Sequence, residues 1–282
     1  MMTQPHVATA GDNVVDCYRE MGTMFPGGNT LNVSVFAARF GASSAYLGQI
    51  AADAAGDAIS AALHDEGVDT SGLRRVPGST AHCVIAHDAH GDRVFVSSDL
   101  GVSVFTPSSE DLARLKGFDA IHVGASSQLD PWIPAFAAET RLSYDFGTRH
   151  NAEHIRHVGR LCYLIVLSGG GLDDAAFESL LEQGEGSGAT WTLVTRGTEG
   201  AVLSKGGRRR WKSRAHRADG VIDTLGAGDT FCARVLVGLL REESPSQFLA
   251  EAATAAAQTC TQFGAFGHGV PIASGIGAST TC

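Results

Sequence analysis

The chain has 282 residues, 44% apolar and 18% charged, which is enough to bury a sizeable core as one α/β domain with an appendage or as two modest domains. Its 35 glycines follow no G-X-Y period and form no low-complexity run, so collagen-like and disordered chains are excluded. With 21 Lys and Arg against 30 Asp and Glu, the net charge of −9 opposes binding to a phosphodiester backbone.

The first ten residues lack a basic leader and a long apolar segment, and the longest apolar run, residues 161–167, is too short to span a bilayer. A cytoplasmic protein without membrane attachment is expected. Cys17, Cys83, Cys162, Cys232, Cys260 and Cys282 are scattered, with no C-x-x-C pair, which suits reduced thiols.

Residues 6–10 form a short apolar strand running into Gly11, after which Asp12, Asn13 and Asp16 present polar groups. Ligands of open α/β sheets gather at such strand ends. Residues 29–40 follow Gly27-Gly28 and carry Leu31, Val35, Phe36 and Phe40 at helical spacing; a helix is expected there, with Asn29 available as its N-cap. A strand over 45–50 and a helix over 54–66, closed by Gly67, begin a β-α alternation. Between Leu73 and Val96 the pattern changes to short β-like runs, 81–86 and 93–96, around the turn-prone residues 88–92, and predicts a small antiparallel appendage.

Alternation resumes with strands near 120–123, 142–146, 163–167 and 192–195, and residues 202–211 suit a hairpin turning at Gly206-Gly207. Arg208, Arg209 and Arg210 continue it as a solvated run. Two helices, 229–240 and 246–263, precede a small-residue tail, 273–282, that is expected to be disordered. The fold class is α/β, a doubly wound and mainly parallel sheet with a small β appendage.

The segment Asp223-Thr224-Leu225-Gly226-Ala227-Gly228-Asp229 stands directly before an apolar helix. Small residues at 226–228 let backbone N–H groups converge at a helix N-terminus, where unpaired donors and the positive dipole end hold an anion such as phosphate. Asp229 at the mouth of that site suits a general base that activates a hydroxyl toward the phosphate. The bland alternative is a tight turn with Asp229 capping the helix. A Walker A lysine motif is absent, so any phosphate is met by backbone amides and a divalent cation.

This segment, together with Gly27-Gly28-Asn29-x-x-Asn32 near the N-terminus, resembles the two signatures of the PfkB, or ribokinase-like, sugar kinases, in the same order and over nearly the whole chain. The resemblance implies a ribokinase-like domain over 1–272 whose lid strands come mainly from 12–28 and 72–100. It also implies use of ATP and Mg2+, with a monovalent cation as an option, and a homodimer formed through the lid. Asp12, Asp16, Gly27, Gly28, Asn29, Asn32 and Arg93 would contact the sugar. Asp229 would be the base, and Gly226, Ala227 and Gly228 would stabilise the transferred phosphoryl. Thr195, Gly197, Gly200, Thr224, Gly226, Gly228 and Gly264 would meet the nucleotide.

Gly11-Asp12-Asn13-x-x-Asp16-x-Tyr18 and Gly91-Asp92-Arg93-Val94-Phe95 most resemble the fructoselysine 6-kinase branch, which implies a sugar or sugar-amine conjugate as substrate. Val14 stands where ribose-specific members carry Asn, which disfavours ribose. Asp145-Phe146-Gly147-Thr148-Arg149 partly matches a family D-x-N-x-R pattern, with Gly147 in place of Asn. The family's N-x-x-E, which orders magnesium-bound water, is missing after residue 167; Asp173 or Asp174 could replace its Glu, or both could be acids complementing a helix dipole. A nucleoside kinase and a catalytically silent sugar-binding protein are the rival readings.

Overall fold

The structure, a computed structural model, describes residues 4–87, 93–273 and 276. Its first half runs β1 (His6–Ala10), β2 (Val14–Tyr18), β3 (Thr23–Gly27), α1 (Asn29–Arg39), β4 (Ser43–Ala51), α2 (Ala54–Asp65), β5 (Asp69–Val76), β6 (His82–His87) and β7 (Arg93–Asp99). There follow α3 (Ser109–Arg114), β8 (Ala120–Gly124), α4 (Ile133–Glu139), β9 (Arg141–Asp145), α5 (Ala152–Gly159), β10 (Leu164–Ser168), α6 (Asp174–Glu185) and β11 (Trp191–Thr195). The chain then forms β12 (Ala201–Lys205), β13 (Arg209–Ser213), α7 (Ala227–Leu240), α8 (Pro245–Thr259) and β14 (Val270–Pro271).

Nine strands make the main sheet in the order β13-β12-β11-β10-β9-β8-β1-β4-β5. All neighbours from β11 to β5 are parallel, and the two pairings at the other edge, β11–β12 and β12–β13, are antiparallel. Parallel strands covered on both faces bury successive residues in opposite layers. In β10, Val166 joins the core under α1, α7 and α8, while Ile165 and Leu167 join the core under α4, α5 and α6. The sheet turns its connections in opposite directions on either side of β1, whose neighbours are β4 and β8. A crevice therefore opens beyond the carboxyl ends of β1, β8 and β9.

The second sheet, in the order β14-β3-β2-β6-β7, is the expected lid. Three of its pairings are antiparallel, but β2 and β6 run parallel because the chain leaves the lid for α1, β4, α2 and β5 before returning. Two boundaries differ from the sequence reading. Residues 72–76 belong to the main sheet, where β5 pairs with β4 through Leu47–Gly72 and Gly48–Leu73, and Val270 and Pro271 add a strand to the lid beside β3. Of the predicted tail, Ala273 and Ile276 pack against the core, while 274, 275 and 277–282 lie outside the described residues, as do Gly91 and Asp92. Among the described residues no helix is long and apolar enough to cross a membrane.

Candidate active site

The residues picked out at the two ends of the chain meet in the crevice. Asp12 follows β1 and is held from several sides: Asn29 N–H donates to Oδ2 (3.0 Å), and the Ser127 hydroxyl donates to Oδ1 (2.7 Å). Gly27 ends β3 against Asp16, where a Cβ would lie 2.5 Å from Asp16 Oδ2. Gly28 sits at φ 111°, with a would-be Cβ 2.8 Å from Asn13 Cα. A side chain at either position would close the space between the lid and α1.

Asn29 is not the N-cap expected from sequence. Gly28 takes that place without a side-chain bond, and Asn29 opens the helix with its amide turned into the crevice. Its Nδ2 donates to Asp145 Oδ2 (2.9 Å) and to Asp229 Oδ1 (2.8 Å). One turn on, Asn32 Nδ2 donates to Asp229 Oδ2 (2.6 Å). Both oxygens of Asp229 are thus oriented by α1, from about 200 positions away in the chain, as the close packing of α1 on α7 allows.

Two carboxylates bridged by one amide in a crevice disfavour double ionisation. Burial, aided by the neighbouring charges of Asp145 and Asp12, pushes Asp229 up to about 7, although the Asn32 and Asn29 amides pull the other way. Burial likewise raises Asp145 to about 6, against the Gly147 N–H bond. His122, fully buried in the middle of β8, is pushed down to about 3 by desolvation and is neutral. Asn29 Oδ1 can only accept, so His122 Nε2 carries the proton and donates to it (3.4 Å), while Nδ1 accepts from the Ser143 hydroxyl (2.9 Å). This chain fixes which way the Asn29 amide faces.

The other half of the crevice is backbone. Gly226 precedes α7 at φ 77°, with no side-chain cap. A Cβ there would lie 2.3 Å from that of Ala265, so glycine is required. The first intrahelical bond is Thr230 N–H to Gly226 O (2.8 Å), which leaves the Gly228 and Asp229 N–H groups ahead of it. A Cβ on Gly228 would meet nothing within 4 Å, and Thr224 is exposed beside it. Gly197 and Gly200 turn with positive φ after Thr195 at the end of β11, and Gly264 turns against Phe25.

The geometry joins an uncapped, glycine-lined helix N-terminus to an oriented carboxylate of raised affinity for protons. Residues 8–141 and 168–272 match the model of the pfkB family carbohydrate kinases. The chain belongs to that family. Fructosamine kinase FrlD of Bacillus subtilis is 35% identical over 265 residues, covering 93% of each chain. Fructoselysine 6-kinase of Shigella flexneri is 30% identical, covering 92% of this chain and 99% of that one. In fold, the chain superposes on ribokinase of Arabidopsis thaliana, solved with ribose and ATP, with a TM-score of 0.80 at 19% identity over 93% of this chain and 94% of that one. The protein is a sugar kinase with a ribokinase-like fold.

Other expected residues of this kinase take different places. Asp173 caps α6, accepting from Ala176 N–H (2.8 Å). Asp174 pairs with Arg196 Nη1 (2.8 Å) next to the Gly197 turn. Arg149 donates to Ala125 O (2.7 Å) at the crevice rim. Arg93 begins β7, and its side chain lies outside the described residues. Asp145 and Ser127 were not expected to reach the site. For Asp145 the available signals were its place at the end of a predicted parallel strand and at the head of the partly matched D-x-N-x-R pattern.

Proposed function

We propose that this kinase transfers the γ-phosphoryl group of ATP to a hydroxyl of a fructosamine, the 6-hydroxyl of fructoselysine or a near relative, with Asp229 as general base. The single observation that carries the reading is the Asp229 carboxylate, gripped at both oxygens by Asn29 and Asn32 and standing in the first turn of an uncapped helix. The curated relatives named for fructosamine and fructoselysine, matched over nearly full length, support the substrate class.

The sugar would lie between the lid and α1, against Asp12, Asp16, Gly27, Gly28, Asn29 and Asn32; Arg93 is kept as a further sugar contact on the motif resemblance alone. A buried acceptor, Asn32 Oδ1, has no protein partner among the described residues and suits a sugar hydroxyl, since an unpaired buried carbonyl is costly. Asp229 takes the proton of the attacking hydroxyl, whose oxygen bonds to the γ-phosphorus as the bond to the β-phosphate oxygen breaks. ADP leaves and the proton stays on Asp229.

The open space before α7, walled by Gly226, Ala227 and Gly228, fits an anion at the helix dipole's positive end. Thr195, Gly197, Gly200, Thr224 and Gly264 would line the rest of the nucleotide's path. Among the described residues no group of three His, Cys, Asp or Glu is arranged to hold a metal ion, and the reading is a magnesium ion carried on the phosphates, not held in a protein cage. Asp173 and Asp174 are then the candidates for its water shell. Bound there, the ion would offset negative charge on the phosphates.

The lid edge β7, with Val96 49% exposed on it and Leu100 50% exposed just after it, favours pairing with a second copy in a homodimer. Sedimentation at micromolar concentration should return a dimer. The substrate is tested by offering ATP with fructoselysine, other fructosamines, fructose, ribose and adenosine, and weighing the products. A phosphate added to fructosamines at the highest kcat/KM supports the reading, and preference for adenosine or for no acceptor overturns it.

A further inference from the structure

Asp223 opens the phosphate-binding segment, yet neither the sequence reading nor the proposed chemistry gives it a task. Only 8% exposed, it lies under the turn that it begins. Its Oδ1 accepts from Leu225 N–H (3.0 Å), which shapes the approach to Gly226. Its Oδ2 accepts from Gly264 N–H (3.2 Å), which joins the 223–226 turn to the Gly264 loop, also predicted to meet the nucleotide. The same oxygen accepts the phenolic proton of Tyr18, a residue of lid strand β2 that is 2% exposed.

Tyr18 stands two residues from Asp16 on the strand that would meet the sugar. Its ring packs edge-on against Phe25 of β3 (5.4 Å between centroids) and Phe263 (5.7 Å), next to Gly264. A Cβ at Gly264 would lie 2.7 Å from Phe25, so lid and loop are in close contact there as well. Beyond that loop the chain re-enters the lid as β14, paired with β3 through Val270 and Met24. Asp223 itself is tied to the end of α8, its N–H and that of Ile222 both donating to Cys260 O (3.2 and 2.8 Å).

We propose that Tyr18 is a positioning residue that makes nucleotide affinity depend on sugar occupancy: its bond to Asp223 carries the setting of the lid into the turn and loop that meet the phosphates. The inference rests on the kinase reading and adds to it a coupling between the two substrates. Coupling of this kind is reciprocal and is measured as the ratio of affinities with and without the second ligand.

The test uses the full chain and titration calorimetry with the non-hydrolysable analogue β,γ-imido-ATP, without and with saturating fructoselysine. Wild type should bind the analogue at least about fivefold more tightly when the sugar is present. Tyr18→Phe keeps the aromatic packing and removes only the hydroxyl, and it should bring that ratio below about twofold while sugar affinity alone changes little. Asp223→Asn should do the same, and the double variant should lose no more than either single one, as expected of partners in one bond. Wild type without coupling, or variants that keep the wild-type ratio, overturn the proposal. Failure of the kinase reading appears separately, as absence of phosphoryl transfer by wild type to any acceptor in the panel.

Discussion

On the side of the crevice proposed to take the sugar, Asp12, Asn29, Asn32, Asp145 and Asp229 hold one another through bonds to side-chain carboxylates between elements remote in sequence. On the side proposed to take the phosphates the chain offers glycines in turns and the bare start of α7. The contrast follows from the ligands each side would meet. Sugar hydroxyls differ in position, so discriminating among them takes fixed donors and acceptors, whereas a phosphate is held by N–H groups and a dipole that any backbone can supply. A chain with a net charge of −9 gains from meeting polyanions with backbone.

If the sugar side works through its carboxylate, Asp229→Asn should cost the most, about 10²- to 10⁴-fold in kcat, with nucleotide affinity nearly unchanged; initial rates and calorimetry read the two apart. The phosphate side should fail differently. Gly226→Ala forces a Cβ into Ala265 at a positive φ, and strain of about 1–3 kcal/mol is expected, read as a lower melting temperature and weaker binding of the ATP analogue, with sugar affinity spared.

Asp145 sharpens the comparison from within the sugar side. Its charge helps to hold Asp229 up near 7, so Asp145→Asn should move the acid limb of kcat/KM down by about one pH unit. A carboxyl whose folded-state pKa is raised binds its proton more tightly in the folded state. Stability attributable to Asp229 is therefore present below the ordinary carboxylate range and is lost as pH rises toward 7. Thermal melts from pH 4 to 8 should show a decline that Asp229→Asn removes. The smallest effect is expected at Asp174, exposed and paired with Arg196: Asp174→Asn should raise magnesium half-saturation by about threefold at most, and a shift beyond tenfold would make it a direct ligand.

The two sides also differed in how far the amino-acid order revealed them. The phosphate side is local: Gly226, Ala227, Gly228 and Asp229 stand together in the chain, and their spacing before an apolar helix already implies an anion site. The sugar side depends on register. Nothing near Asp145 announces that β9 ends beside Asn29, 116 residues earlier, because that juxtaposition is made by the strand order β9-β8-β1. Asn29 looked like a helix cap for the same reason, since the carboxylates that claim its amide come from other elements. The parallel β2–β6 pairing and the short β14 were hidden too, being products of where the chain returns after long excursions. The Tyr18–Asp223 bond joins residues 205 apart, and only the folded lid brings them together.

The central claim is that Asp229 removes the proton from the sugar hydroxyl. Its most direct test is the pH dependence of kcat/KM for fructoselysine, measured for wild type and Asp229→Asn at saturating ATP and magnesium. Wild type should rise about tenfold per pH unit and level off near 7, and the variant should be slow and flat across the same range. A variant that keeps the wild-type slope, at rates within a few fold of wild type, would contradict the assignment.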